Sequence, residues 1–149
     1  MRHVLILGTP PDIAIPPGRD WRVVSTSPWL SAQLDAAGVR HRRAEDYGGP
    51  TTWEALHGAA AGSLAGLARG SRRSPEAAWL DDWSHLLADE LGVPLFWFAM
   101  ARGLLRVERP RAIHAQRVAP SSGAAGAVSA LTTALETLGR RLTIWPPTA

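Results

Sequence analysis

At 149 residues, 46% of them hydrophobic, the chain is long enough to bury the core of one ordinary domain. It has no cysteine, and its 16 basic residues are all arginine, set against 13 acidic ones for a net charge of +3. Disulfides, thiolate nucleophiles, cysteine metal sites, Schiff-base lysines and a P-loop lysine are thereby excluded, and so small a net charge argues against nucleic acid as the partner.

His3 to Gly8 is apolar after its first residue and ends in glycine, the pattern of a strand buried on both faces in a parallel sheet. The run is too short for the core of a signal peptide. The longest apolar run, Val93 to Ala101, falls well below the ~20 residues that cross a bilayer, so a cytoplasmic chain without a membrane span is expected. Thr9 to Asp20 holds four prolines, which forbid a helix and predict a loop. Trp21 to Ser27 reads as a second strand. Ser27 then precedes Pro28 as an N-cap precedes a proline at the first helical position, and Leu30 and Leu34 give that helix an apolar face up to Gly38. A short third strand is expected from Val39.

From Thr51 to about Arg69, Trp53, Leu56, Ala60, Leu64 and Leu67 keep helical spacing, and Gly58, Gly62, Gly66 and Gly70 fall four apart. Interior glycines cost a helix roughly 1 kcal/mol each, so the ridge predicts another backbone lying close, on the sheet or a neighbouring helix. A self-association face is the alternative. Ser74 is placed to cap a helix ending at Gly92, and Pro94 to start another through Glu108, so that about 75–108 reads as a helical hairpin inserted into a single domain, 1–149. Ala112 to Val118 follows as a strand, Ser121 to Leu138 as a helix and Arg141 to Trp145 as the last strand. This order predicts an α/β fold: a three-layer, Rossmann-like, mainly parallel sheet of about five strands with a helical insertion.

Such sheets bind ligands beyond the carboxyl ends of their strands. That nominates Thr9 and Asp12, Ser25 and Ser27, Glu45, Asp46 and Tyr47, and His114, Gln116, Arg117, Ser121 and Ser122 as ligand-binding residues. The stretch "PSSGAAG" leaves two readings open: plain helix capping by serine, or an anion held on free amides with help from Arg117. His114 and Gln116 share one sheet face. After the first strand "GTPPDI" lacks the later glycines of the dinucleotide fingerprint, and no cofactor is implied. Asp81, Asp82 and His85 read as a helical ion pair, so no metal is expected. No nucleophile motif assigns a catalytic residue. Of seven tryptophans, Trp29 and Trp145 are the candidates for exposure.

The stretch "VVSTSPWLSAQLDAAGVRHRRAEDY", with the later "LLRVERPRAIHAQ" and "ALETLGRRLTIWP", resembles the N-terminal Rossmann-like region of bacterial surface-carbohydrate biosynthesis glycosyltransferases of the GT-B type. The resemblance implies one lobe of a two-lobed transferase, with an acceptor on this lobe and the nucleotide-sugar chiefly on another, so that catalysis needs a second lobe or partner. Ser27, Glu45, Asp46 and Tyr47 lie within the matched pattern, with no catalytic role attached to any of them. The expectation is therefore a glycosyltransferase-like domain that binds a nucleotide, sugar or phosphorylated small molecule. Its rival is a non-catalytic interaction or homodimerisation module using the glycine-ridged helix 51–70.

Overall fold

A computed structural model describes residues 2–16, 18–48, 53–70 and 75–147, with 53–54, 65, 67–70, 75–85 and 89 described by backbone alone. Five strands form one parallel sheet: β1 (Arg2–Leu7), β2 (Trp21–Ser25), β3 (His41–Arg43), β4 (Pro110–Gln116) and β5 (Leu142–Trp145). Their order across the sheet is β3-β2-β1-β4-β5. The chain winds outward from β1 through β2 to β3, then returns to β1's other side for β4 and β5. The carboxyl ends of β1 and β4 therefore flank the switch point of a Rossmann-like fold.

Val4 to Leu7 have no solvent exposure, which is why β1 is apolar throughout rather than alternating. Where a helix would follow β1 in a regular unit, the described residues between 9 and 20, with Pro10, Pro11 and Pro16 among them, form a loop. Helix α1 (Pro28–Ala36) begins as predicted: Ser27 Oγ accepts from Leu30 N at 3.1 Å, with Pro28 in the first turn. Leu30 and Leu34 bury against Leu5, Leu7, Val23 and Trp145. Gly38, at φ +70°, turns the chain out of the helix and into β3. Trp145, expected to be exposed, is thus a core residue, whereas Trp29 lies 64% exposed on α1.

Helix α4 (Ala125–Thr137) joins β4 to β5 and buries Val128, Leu131, Ala134 and Leu135. The β2-α1-β3 and β4-α4-β5 units travel in opposite directions from the centre, so right-handed crossovers place α1 and α4 on opposite faces. This gives three layers.

By compactness the chain divides into residues 1–49 with 98–149, and residues 50–97. In the second unit, α2 (Trp53–Gly70) and the first part of α3 (Pro75–Glu108) share a small core of Ala60, Leu64 and Ala88. The expected hairpin over 75–108 is instead one helix of 34 residues with Pro94 inside it. Proline removes a single donor and strains one turn, whereas good helix formers and buried positions lie on both sides, with Ala88 before it and Met100, Ala101 and Leu104 after. A Cβ on Gly58, Gly62 or Gly66 would meet nothing within 4 Å among the described residues, so these do not supply the close-lying backbone that the sequence predicted. Gly103 does: a Cβ there would overlap the carbonyl of Tyr47, in the short 3-10 turn Ala44–Gly48 that follows β3. Ser74 and the side chains of Asp81, Asp82 and His85 lie outside the described residues. Among those described, no helix is long and apolar enough to cross a membrane, and no group of three His, Asp or Glu is placed to hold a metal.

Candidate ligand-binding site

The switch point is built from the last residues of β1 and β4. The N–H groups of Gly8 and Thr9 both point at Gln116 Oε1, each at 2.9 Å. Gly8 must be glycine, because a Cβ would run into Val128 with Ala124 and Val118 close behind. Gln116 can reach the two amides because it shares a sheet face with Leu7's side of β1. Two converging amides on one oxygen form a small anion hole, filled here by a neutral amide oxygen.

Around it, the nominated polar groups are engaged locally. Ser25 Oγ donates to Ser27 O at 2.8 Å, and Ser27 Oγ caps α1. Between them Thr26 ties β2 to β1, donating from N and Oγ1 to Leu7 O at 3.2 and 3.0 Å. Arg117 donates its backbone N–H to Trp145 O at 3.1 Å and leaves its side chain exposed beyond β4.

Ser121 and Ser122 do not cap a helix, contrary to the sequence reading. Helix α4 starts later, with Ala124 at the N-cap and no side-chain bond to the cap. The two serines sit in a turn in which Ser122 N donates to Ala119 O at 2.9 Å and Ser122 Oγ accepts from Ala124 N at 3.3 Å. Gly123, a poor helix former, does not carry α4 backwards over a turn already closed by Ser122. Asp12 is exposed on the proline loop, beside a largely apolar pocket of about 550 Å³ shared with Gln33 and Leu34.

Beyond β3, Asp46 Oδ2 accepts from Arg43 N at 3.2 Å, and Glu45 pairs with Arg43 at 3.7 Å on the surface. Tyr47 turns away from this edge. Its buried hydroxyl donates to Glu108 Oε1 at 2.8 Å, and burial with the neighbouring carboxylate pushes its ionisation far above the usual phenol range. Glu108 has a fully buried side chain, reached by Arg2 at 2.6 Å, Arg22 at 3.2 Å and Arg42 at 3.9 Å. Burial alone would raise its carboxyl's pKa. The hydrogen bonds from Arg2 and Tyr47, with the charges of Arg22 and Arg2, outweigh it and hold the group below its ordinary value.

His114 lies two residues short of the edge, within the sheet. Thr143 Oγ1 lies 2.7 Å from His114 Nδ1 and 3.3 Å from Ile113 O. His114 Nε2 shares a hydrogen bond with His3 Nδ1 at 3.1 Å, so each imidazole nitrogen of His114 is engaged. The 5.4 Å between the two imidazole centres is that N···N separation plus the two ring radii, so the rings meet edge to edge in nearly one plane. Trp21 lies 4.8 and 4.9 Å from their centres. Burial first, then the proximity of His3, lowers the pKa of His114.

The structure thus gathers Thr9, Ser25, Ser27, Gln116 and Arg117 along one edge of the sheet and separates Tyr47 and His114 from it. Sequence reasoning missed Glu108, His3 and Thr143. Glu108 alone left a signal, as a lone carboxylate between arginines in "RVERPR". Comparison with protein families, with curated proteins and with solved structures returns no match for this chain.

Proposed function

We propose that this chain is a Rossmann-like lobe of the glycosyltransferase kind, binding a nucleotide, a sugar or a phosphorylated small molecule at the carboxyl ends of β1 and β4. In this reading catalysis needs a second lobe or partner, and the lack of cysteine suits a cytoplasmic setting. The observation that carries it is the pair of amides, Gly8 and Thr9, directed at a single oxygen at the switch point. Gln116 Oε1 stands where a ligand's phosphate or hydroxyl oxygen would accept both bonds. Arg117, exposed beside it, supplies a guanidinium that suits a phosphate. The strand order supports a ligand at this edge without choosing among the activities that such sheets host.

A thermal-shift panel of nucleotides, nucleotide-sugars and sugar phosphates tests this directly. A member of the panel is expected to raise the melting temperature. Gln116→Ala vacates the amides and is expected to tighten that ligand about tenfold, as an ordered internal competitor is removed, at a cost of about 1 kcal/mol in stability. No shift with any member, in either protein, would sink the reading.

One observation favours the rival module: among the described residues nothing packs within 4 Å of a Cβ built on the glycines at 58, 62 and 66. Light scattering separates the two. A dimer that Gly62→Leu converts to monomer would support association through α2.

A further inference from the structure

We infer that the opposite, amino-terminal edge of the sheet carries a separate anion site, a pocket for a small phosphorylated molecule. A pocket of about 540 Å³ opens there, lined by Arg2, Arg19, Arg22 and Arg40 together with Trp21 and Val39. Its volume falls in the range of small-molecule sites, ~300–1,000 Å³. None of the described residues that line it is acidic.

The local charge is not balanced. Glu108 offers one negative charge to the guanidinia of Arg2, Arg22 and Arg42. Arg19 and Arg40 form no ion pair among the described residues. Arg22 Nε lies 3.2 Å from Glu108 Oε1 without making a hydrogen bond to it, so Glu108 holds Arg22 by charge alone, and Arg22 is also among the residues that line the pocket.

The chemistry specifies the ligand class. Guanidinium forks match phosphate oxygens two at a time and stay charged at every physiological pH. Ile15, Val23, Val39 and Trp21 give the same pocket an apolar wall, suited to the base or sugar body of a phosphate ester. The six residues of β1 separate this edge from Gly8 by about 20 Å, so a compact ligand here cannot also reach the carboxyl-end amides.

Isothermal titration of the full chain at low salt, with inorganic pyrophosphate and with adenosine monophosphate, tests the site. Saturable one-to-one binding of at least one probe is expected, weakened tenfold or more in the Arg19→Ala/Arg40→Ala variant. Arg22→Lys, which keeps the charge and loses the fork, should also weaken it severalfold. The charge-matched control Arg102→Ala/Arg106→Ala, on exposed α3 positions, leaves binding unchanged. Binding that survives the double substitution, or binding of neither probe, would overturn the inference. So would strongly salt-dependent capture of single-stranded RNA without pyrophosphate binding, which would mark a nucleic-acid surface instead.

Discussion

Glu108 holds one buried charge among three guanidinia and a phenol, and the arrangement is only as stable as that charge. Glu108→Gln keeps the volume, removes the anion and leaves Arg2, Arg22 and Arg42 facing one another. It is expected to cost about 2–4 kcal/mol, read as a lower urea midpoint at pH 7. Because its carboxyl's pKa is held below the ordinary 4.5, its contribution is complete above that pH and fades as the pH falls through the lower native value. His114 acts in a different window. Its native pKa lies below the ordinary 6.5, so the unfolded chain takes the proton first, and stability declines as pH drops from 6.5 toward the native value. Urea midpoints measured from pH 7.5 to 5.5 should show this decline, and His114→Gln should flatten it. Little of this was legible in the sequence beyond Glu108 as a lone carboxylate between arginines. Arg2, Arg22 and Arg42 sit at the starts of three strands, but only the register, in which Val4 faces Arg22 and Val24 faces Arg42, brings them onto one face. His3 and His114 meet across 111 residues of chain.

The elements were more legible than the residues that join them. Glycine after an apolar run, and Ser-Pro before an amphipathic one, are local chemistry, and they placed β1 and α1 within a residue or two. The misreadings came where local signals compete. Pro94 reads as a helix start, yet helix formers on both sides carry α3 through it. The serines of "PSSG" read as a cap, yet a tight turn claims them before α4 begins. Gly103 shows a third kind of limit. Its glycine lies in a helical run with no visible reason, and the reason is the Tyr47 carbonyl pressed against it. Gly103→Ala normally favours a helix by about 1 kcal/mol, but here it is expected to destabilise by about 2 kcal/mol or more, since the added carbon meets backbone. Thermal denaturation followed by far-UV circular dichroism decides the sign. A stabilised variant would mean that α3 and the 3-10 turn separate more easily than their contact suggests.

At the scale of the molecule, alternation of strands and helices was enough to predict a parallel three-layer sheet, because crossover handedness and burial leave few other solutions. Where the switch point falls was less accessible, since it follows from strand order, and strand order depends on where a returning chain inserts. β1 illustrates what that order demands. Its first neighbour, β2, follows within a score of residues, but the second is β4, at Pro110–Gln116. During synthesis the bare edge of the most apolar strand must wait for about a hundred further residues, roughly 5–20 s at ribosomal rates. Unpaired edges of this kind recruit other chains. A chain stopped after Arg109 is therefore expected to sediment as aggregate, whereas one carried through Trp145 stays dispersed, because only the second can cover the free edge of β1 with β4.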